Sequence, residues 1–246
     1  MKSTRCLSLF AISVLVAGCG GGGSDAPAGS VTAPPAVSSV ALSAAFANIV
    51  NQNLSSPLTV SGSATVSGQT VNVTGSGTLT ESTGAGMFEG VTGLRKTTTV
   101  NGTVVASLGS NSSSAPLSST GQEFFDSNYK PLGGTAEGSY CVTTSYVPVP
   151  STSLPSGSRS WYTQDCFASS AKLARLATVA VSYTVEAESS GSYLLKLLST
   201  ATAADGVTVP STRTYRVTPA GAVTRLTDAL TVSASGVTFT LTLTYR

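Results

Sequence analysis

Histidine is absent from the 246-residue sequence, and only 10% of its residues are charged. Without an imidazole, the chain cannot build a Ser-His-Asp or Cys-His nucleophile, or a histidine-ligated zinc or haem site. Its charged fraction is well below the roughly one quarter that is usual in globular proteins. The sequence is instead rich in Val, with 25 Gly, 40 Ser and 35 Thr. This composition argues against helical bundles, coiled coils and parallel α/β enzymes.

The first residues, MKSTRCLSLFAISVLVAGC, have the layout of an export signal. Lys2 and Arg5 form a basic start, an apolar run extends from Leu7 to Val16, and small residues precede Cys19. The apolar run is about half as long as the roughly 20 residues that a membrane-spanning helix needs. The pattern therefore predicts a signal that is removed from the mature chain.

The four residues Val16-Ala17-Gly18-Cys19 resemble the lipobox of bacterial lipoproteins. The resemblance implies that residues 1–18 are removed and that Cys19 becomes the lipid anchor, with acyl chains such as palmitate. Three acyl chains exceed the two membrane signals that stable anchoring requires. Position 20 is Gly rather than the Asp that commonly retains this family in the inner membrane, so the resemblance implies the outer membrane, on an unspecified face. An ordinary cleaved signal with an incidental cysteine is the alternative.

Residues 19–37 are poor in large apolar side chains and rich in Gly, Pro, Ala and Ser. A segment of this composition cannot support a core and behaves as a flexible tether, which spans roughly 23 Å on average. Of the 13 basic residues two leave with the signal, so 11 remain against 11 acidic ones. Because no basic stripe remains, the sequence predicts no nucleic-acid partner.

Two cysteines of the four, Cys141 and Cys166, remain after the signal and the anchor are set aside. Two thiols in an oxidising compartment are expected to form a disulfide. A metal site is the weaker interpretation, because two thiolates without histidine make a poor ligand set. The sequence therefore predicts a disulfide, no metal and no cofactor.

Residues 38–246 read as a single β domain with one N-terminal helix. Leu42, Phe46, Ile49 and Val50 recur at helical spacing and predict a short amphipathic helix. After about residue 57 the period changes to two, most clearly in VTFTLTLTYR at residues 237–246. Such alternation predicts strands with one buried and one wet face.

Turn residues between the alternating segments predict an antiparallel meander, and Asn101-Gly102 is the strongest hairpin signal. Twelve segments alternate, of which we expect two to be broken or merged, leaving about ten strands. A sheet of this width is expected to curl into a barrel, a half barrel or a sandwich, with the helix as a plug. An outer-membrane barrel is disfavoured, because the strands near residues 58–79 carry glycine where a lipid-facing row needs apolar side chains.

Eight of the 16 aromatic residues lie between positions 124 and 167. Tyr140, Tyr146, Trp161 and Tyr162 are the candidate ligand-binding residues in this stretch, since aromatic faces bind sugars, peptides and apolar molecules. The alternative, which we favour from the sequence alone, is that these rings fill one end of the core. No catalytic residues are predicted: the carboxylates are scattered, and two S-x-x-K matches agree with chance in a serine-rich chain.

These observations predict a non-catalytic outer-membrane lipoprotein with a binding or structural role in the cell envelope. Its expected partners are the membrane, through the lipid anchor, and either an apolar ligand or an envelope protein. Outer-membrane lipoproteins with one helix on a curved antiparallel sheet also include half-barrel carriers of acyl chains, which this layout resembles. Carriage of an apolar or lipid ligand is therefore the second hypothesis, and an enzyme of unknown type is the third.

Overall fold

The computed structural model describes residues 39–246 except residues 67, 189–190 and 235–236. The predicted signal, Cys19 and the tether lie outside the described residues. The described elements run in the order α1 (Leu42–Asn51), β1 (Leu54–Val66), β2 (Gln69–Phe88), β3 (Val91–Leu108), β4 (Asn111–Phe125), β5 (Pro131–Ala136), β6 (Ser139–Tyr146), β7 (Ser156–Phe167), β8 (Arg175–Ala187), β9 (Tyr193–Ala203), β10 (Thr208–Val217), β11 (Val223–Ala234) and β12 (Val237–Tyr245).

The twelve strands form one closed antiparallel barrel in which sequence neighbours are sheet neighbours. β1 and β12 close it, in a register that runs from Leu58 opposite Tyr245 to Val66 opposite Val237. Closure gives every strand two partners and removes the exposed sheet edges that promote aggregation. The predicted mainly β meander is confirmed, and of the three predicted shapes the barrel is the one observed.

The alternation of side chains sorts each strand into an inner and an outer face. In β12, Leu241, Leu243 and Tyr245 are buried. The threonines between them face outward, and Thr244 is exposed. The same pattern in β8 buries Val181, Tyr183 and Val185. The barrel therefore has apolar inner positions and an outer face rich in Ser and Thr.

Two details of the strand prediction are wrong. Asn101-Gly102, the strongest predicted turn, is not a turn, because both residues lie within β3. Gly102 lies directly opposite Gly77 of β2, and a Cβ atom on Gly102 would collide with the Ser76 carbonyl oxygen. Glycine is thus required here by the close approach of two backbones, and in the sequence such a glycine looks like a turn signal. β5, with the sequence PLGGTA, was missed because its short, glycine-rich run shows no alternation.

Helix α1 closes one end of the barrel, as its amphipathic pattern predicts. All four residues of the predicted apolar face are buried, and Phe46 packs edge-on against Trp161 with ring centroids 4.5 Å apart. The helix has no side-chain N-cap. The Ala41 N–H, just before the helix, donates to the Pro219 carbonyl, and the Val40 N–H donates to that of Ser153. Loops of the barrel thus satisfy donors that a helix start leaves open. Within the described ranges, no helix has the length and apolar character needed to cross a bilayer.

The buried apolar residues form two clusters inside the barrel. One surrounds α1 and includes residues of β7, β8, β9 and β10, such as Trp161, Leu195 and Tyr215. The other lies between β1, β2, β3, β4 and β12, where Leu58, Leu79 and others pack together. The interior is therefore filled beside strands β1 to β3 and around the helix.

Gly221, in the turn between β10 and β11, packs against the start of helix α1. Its φ is +87°, and a Cβ atom there would lie 2.8 Å from the Ala41 carbonyl oxygen and 2.9 Å from the Ala44 Cβ. Gly206 has nearly the same φ of +86°, but among the described residues no atom beyond its chain neighbours lies within 4 Å of such a Cβ.

We expect Gly206→Ala to lose about 1–2 kcal/mol, the usual cost of a left-handed conformation for an L-residue. Gly221→Ala is expected to lose at least twice as much, because the new methyl group also displaces the helix. Thermal unfolding followed by circular dichroism measures both. Equal losses in the two variants would show that the turn does not hold α1.

Candidate ligand-binding cavity

A cavity of about 480 Å³ occupies the part of the barrel enclosed by β4 to β10. It extends from α1 to the turns at the opposite end, where Ala136, Leu176 and Val207 line it. Most of its wall is apolar and comes from the inward positions of β8, β9 and β10, among them Val179, Val181, Leu197, Ala201 and Val209. The small side chains at inward positions, such as Ala201 and Ala203, leave the space that larger ones would fill.

The closed end of the cavity is made by the helix and two aromatic rings. Ile49 and Val50 of α1 line it, together with Trp161 and Tyr162 of β7. The two rings pack edge-on, with their centroids 4.7 Å apart. Trp161 lies at an irregularity in the pairing of β7 with β8, between Ser160 and Tyr162. Simple alternation would place two consecutive side chains on opposite faces of β7. At this bulge both rings line the cavity instead.

The Cys141–Cys166 disulfide forms part of the cavity wall. The two cysteines are directly opposite each other in the pairing of β6 with β7. Cys166 is almost completely buried. The pairing predicted from the sequence is observed, and the bond joins two strands on one side of the cavity.

A network of buried charges crosses the interior next to the cavity. The Lys96 Nζ lies 2.9 Å from a Glu81 oxygen and also donates to the Ile49 carbonyl at the end of α1. Arg225 contacts both Glu81 and Asp228. Arg225, Lys96 and Glu81 have side chains no more than 1% exposed. Buried charges persist only when they are paired and hydrogen-bonded, and each of these is.

The pKa values of the network follow from burial and pairing. Burial lowers the pKa of Lys96, and the opposing charge of Glu81 only partly restores it. For Asp228, burial acts to raise the pKa, but the neighbouring Arg225 and Arg213 outweigh it and the pKa is lowered. The Tyr245 hydroxyl donates to Asp228 at 2.8 Å. Asp228 is therefore held as a carboxylate inside the barrel.

A polar corner of the cavity, which we define as Tyr162, Glu123 and Arg213, adjoins this network. All three residues line the cavity. The Arg213 guanidinium lies 3.7 Å from Glu123 and 3.8 Å from Asp228. Burial raises the pKa of the Tyr162 hydroxyl, and the charge of Glu123 raises it further. A neutral phenol, a carboxylate and a guanidinium are thus grouped in a wall that is mostly apolar.

Of the four candidate ligand-binding residues, the structure brings two to the cavity. Trp161 and Tyr162 line it, whereas Tyr140 and Tyr146 do not. Tyr140 stacks on Phe88 with ring centroids 5.1 Å apart, and its hydroxyl donates to Glu89. Cys141, the next residue, faces the cavity, so alternation places Tyr140 on the outer face of β6.

Tyr146 lies against the apolar cluster around α1, with the Lys130 ammonium 5.9 Å from its ring centroid. Its position belongs to the packing of the barrel end, which is the alternative that the sequence left open for these aromatic residues.

Sequence reasoning missed the inward-facing charges. Glu81 follows Leu79 at a spacing of two, and Lys96 precedes Val100 at a spacing of four, so alternation alone places both charges on the buried face. Extending the apolar rows to the charged residues in phase with them would have found both. The apolar wall of β9 was harder to recognise, because Ser199, Ala201 and Ala203 resemble the wet positions of other strands.

Three kinds of comparison bear on the identity of the chain. No family model, no curated protein and no solved structure matches it. Among the described residues, no group of three or more Cys, Asp or Glu side chains is arranged to hold a metal ion.

Lys96→Met tests the buried network, with Lys196→Met as the matched control on the outer face. Lys196 pairs with Glu186 at 2.7 Å, but these side chains are 24% and 47% exposed. We expect Lys96→Met to lose about 3–5 kcal/mol, because it leaves Glu81 with less compensation and the Ile49 carbonyl without its donor. The exposed pair is expected to contribute no more than about 1 kcal/mol. Urea unfolding measures both, and a loss below 1 kcal/mol for Lys96→Met would show that the network does not stabilise the fold.

Proposed function

We propose that this protein is a lipid-anchored, non-catalytic binding protein of the bacterial outer membrane whose barrel holds a small apolar molecule. The observation that carries the proposal is the apolar cavity of about 480 Å³ between α1 and the far rim. Ligand sites in proteins are typically 300–1,000 Å³ and mostly apolar, with a few polar groups that orient the ligand. The cavity has the size and the lining of such a site.

The packing around the cavity supports binding over a purely structural role. Protein interiors are close-packed, with few voids larger than a water molecule. Here one side of the barrel is filled by bulky residues such as Leu58 and Leu243. The other side carries Ala177, Ala201 and Ala203 at inward positions. Small residues in three inward positions of adjacent strands keep a space open that Leu or Phe would close.

The pairing of the interior charges supports a holding function rather than catalysis. Glu81 pairs with both Lys96 and Arg225, and the side chains of all three are no more than 1% exposed. A general acid or base has to reach the proton that it transfers. The groups that do line the cavity, in the polar corner, suit orientation of a bound molecule.

The described chain begins at the end of the barrel that α1 closes, where Val40 pairs with Ser153. A tether from Cys19 therefore joins the barrel at its closed end. Under the proposed anchoring, the closed end is the one fixed to the membrane, and the rim with Ala136 and Val207 is at the far end.

Ala201→Trp tests the cavity, with Thr200→Trp as the matched control on the next residue of β9. Ala201 lines the cavity, whereas Thr200 is exposed on the outer face. Binding is measured by the fluorescence of N-phenyl-1-naphthylamine, an uncharged apolar probe. We expect the wild type and Thr200→Trp to bind it saturably. Ala201→Trp is expected to weaken binding about tenfold or more, which corresponds to about 1.4 kcal/mol, because the indole ring occupies space that the probe needs.

Saturable binding that Ala201→Trp leaves unchanged would place the probe elsewhere, and no binding by the wild type would refute the proposed cavity function.

Cys19→Ser tests the anchor in the full-length precursor, expressed in a Gram-negative bacterium. We expect the wild type to incorporate labelled palmitate and to fractionate with the outer membrane. The variant is expected to lose the label and to leave the membrane fraction, because it lacks the acyl chains that hold it. Cys6→Ser, within the signal, is the control and is expected to behave as the wild type. Unchanged labelling and fractionation of Cys19→Ser would exclude anchoring at this residue.

A further inference from the structure

We propose that the cavity selects an amphiphile with an uncharged, hydrogen-bonding head group, and that this head lies in the polar corner formed by Tyr162, Glu123 and Arg213. The inference rests on the proposed function, because it names the class of apolar ligand that the cavity holds.

The polar corner is accessible from the cavity. Glu123 lies on the same face of β4 as Phe125, and its cross-strand neighbour on β3 is Lys96, which is buried inside. The Glu123 side chain is nevertheless 32% exposed. Because this residue faces the interior and lines the cavity, its exposed part opens onto the space that a ligand would occupy.

The charges around the corner balance. Lys96, Arg213 and Arg225 supply three positive charges, and Glu81, Glu123 and Asp228 supply three negative ones. Contacts link them in a continuous chain, from Lys96 to Glu81, Arg225, Asp228, Arg213 and finally Glu123. The other charged residues of the lining lie at the far rim, Arg175 at the start of β8 and Asp205 in the turn between β9 and β10.

A charged head group would disturb this balance. Moving an ion from water into an apolar cavity is unfavourable unless an opposite charge compensates it. In the polar corner, Glu123 repels a carboxylate, and Arg213 repels an ammonium group. An uncharged hydroxyl avoids both penalties. It can donate to the Glu123 carboxylate and accept from the Tyr162 hydroxyl or from Arg213.

The size of the cavity limits the ligand. At roughly 30 Å³ for each non-hydrogen atom, the share that a water molecule has in the liquid, about 480 Å³ holds on the order of 16 such atoms. The wall between the polar corner and the rim is built from Val179, Ala201 and Val209, which suit an alkyl chain. A chain of about twelve carbons with one polar group meets both requirements.

The test uses three ligands that share a twelve-carbon chain: 1-dodecanol, dodecanoate and dodecylammonium. Each competes with N-phenyl-1-naphthylamine for the intact wild-type protein at neutral pH, below the concentrations at which the ligands aggregate. We expect 1-dodecanol to bind about tenfold or more tightly than either ion, a ratio that corresponds to about 1.4 kcal/mol. Equal or tighter binding of dodecanoate or of dodecylammonium would overturn the inference.

Glu123→Gln tests the charge balance directly, with Glu186→Gln as the control. The first variant removes one negative charge from the corner and keeps the shape of the side chain. The second removes one from an outer-face pair that lies with Lys196. We expect Glu123→Gln to improve the binding of dodecanoate relative to dodecylammonium by about tenfold or more. Glu186→Gln is expected to leave the ratio unchanged.

The outcomes separate the inference from the proposed function. If neither the fluorescent probe nor any of the three ligands binds, the proposed function fails. If the probe binds and is displaced, but Glu123→Gln changes the two ions equally, the cavity function stands and the assignment of the head group to the polar corner is refuted.

Discussion

The contact between Lys96 and the end of α1 connects the helix to the inner wall of the barrel. A closed sheet satisfies its own backbone but leaves its ends open. Lys96 lies on the inner face of β3 and pairs with Glu81. It also donates to the carbonyl of Ile49, one of the last four residues of α1, whose carbonyls have no partner within the helix. Its charge also lies at the negative end of the helix dipole. The ammonium thereby joins the end of the helix to the barrel wall, at the end of the cavity that Ile49 and Val50 line.

The uneven interior follows from the distribution of small residues. On β2 and β3, inward-facing Gly77 and Gly102 let the two backbones approach each other closely, and bulky neighbours such as Leu79 fill what remains. On β9, the inward positions carry Ser199, Ala201 and Ala203 instead. Small residues therefore have opposite effects in the two places: on β2 and β3 they let two backbones approach closely, and on β9 they leave space in the interior. The difference lies in the partner strand, not in the residue.

This explains how far the sequence could predict the structure. The helix at residues 42–51 and strands such as β8 and β12 follow from periodicity, because each has one buried face and enough length to show it. The disulfide followed from elimination among four cysteines. The turn predicted at Asn101-Gly102 failed because a glycine needed for close approach has the same sequence signature as one needed for a turn. The cavity could not be predicted, since it depends on which inward positions of β8, β9 and β10 become neighbours when the barrel closes.

The buried charges give the cavity a polar corner, although most of its wall is apolar. Six alternating charges linked by direct contacts form a neutral chain, and its two ends line the cavity: Lys96 at one end, and the pair of Arg213 and Glu123 at the other. A neutral chain of this kind exerts a strong field close to its ends and a weak one further away, because opposite charges cancel with distance. It can therefore orient a nearby dipole such as a hydroxyl group without attracting ions along the rest of the wall. The same charges that hold α1 in place thus also favour an uncharged polar head over a charged one.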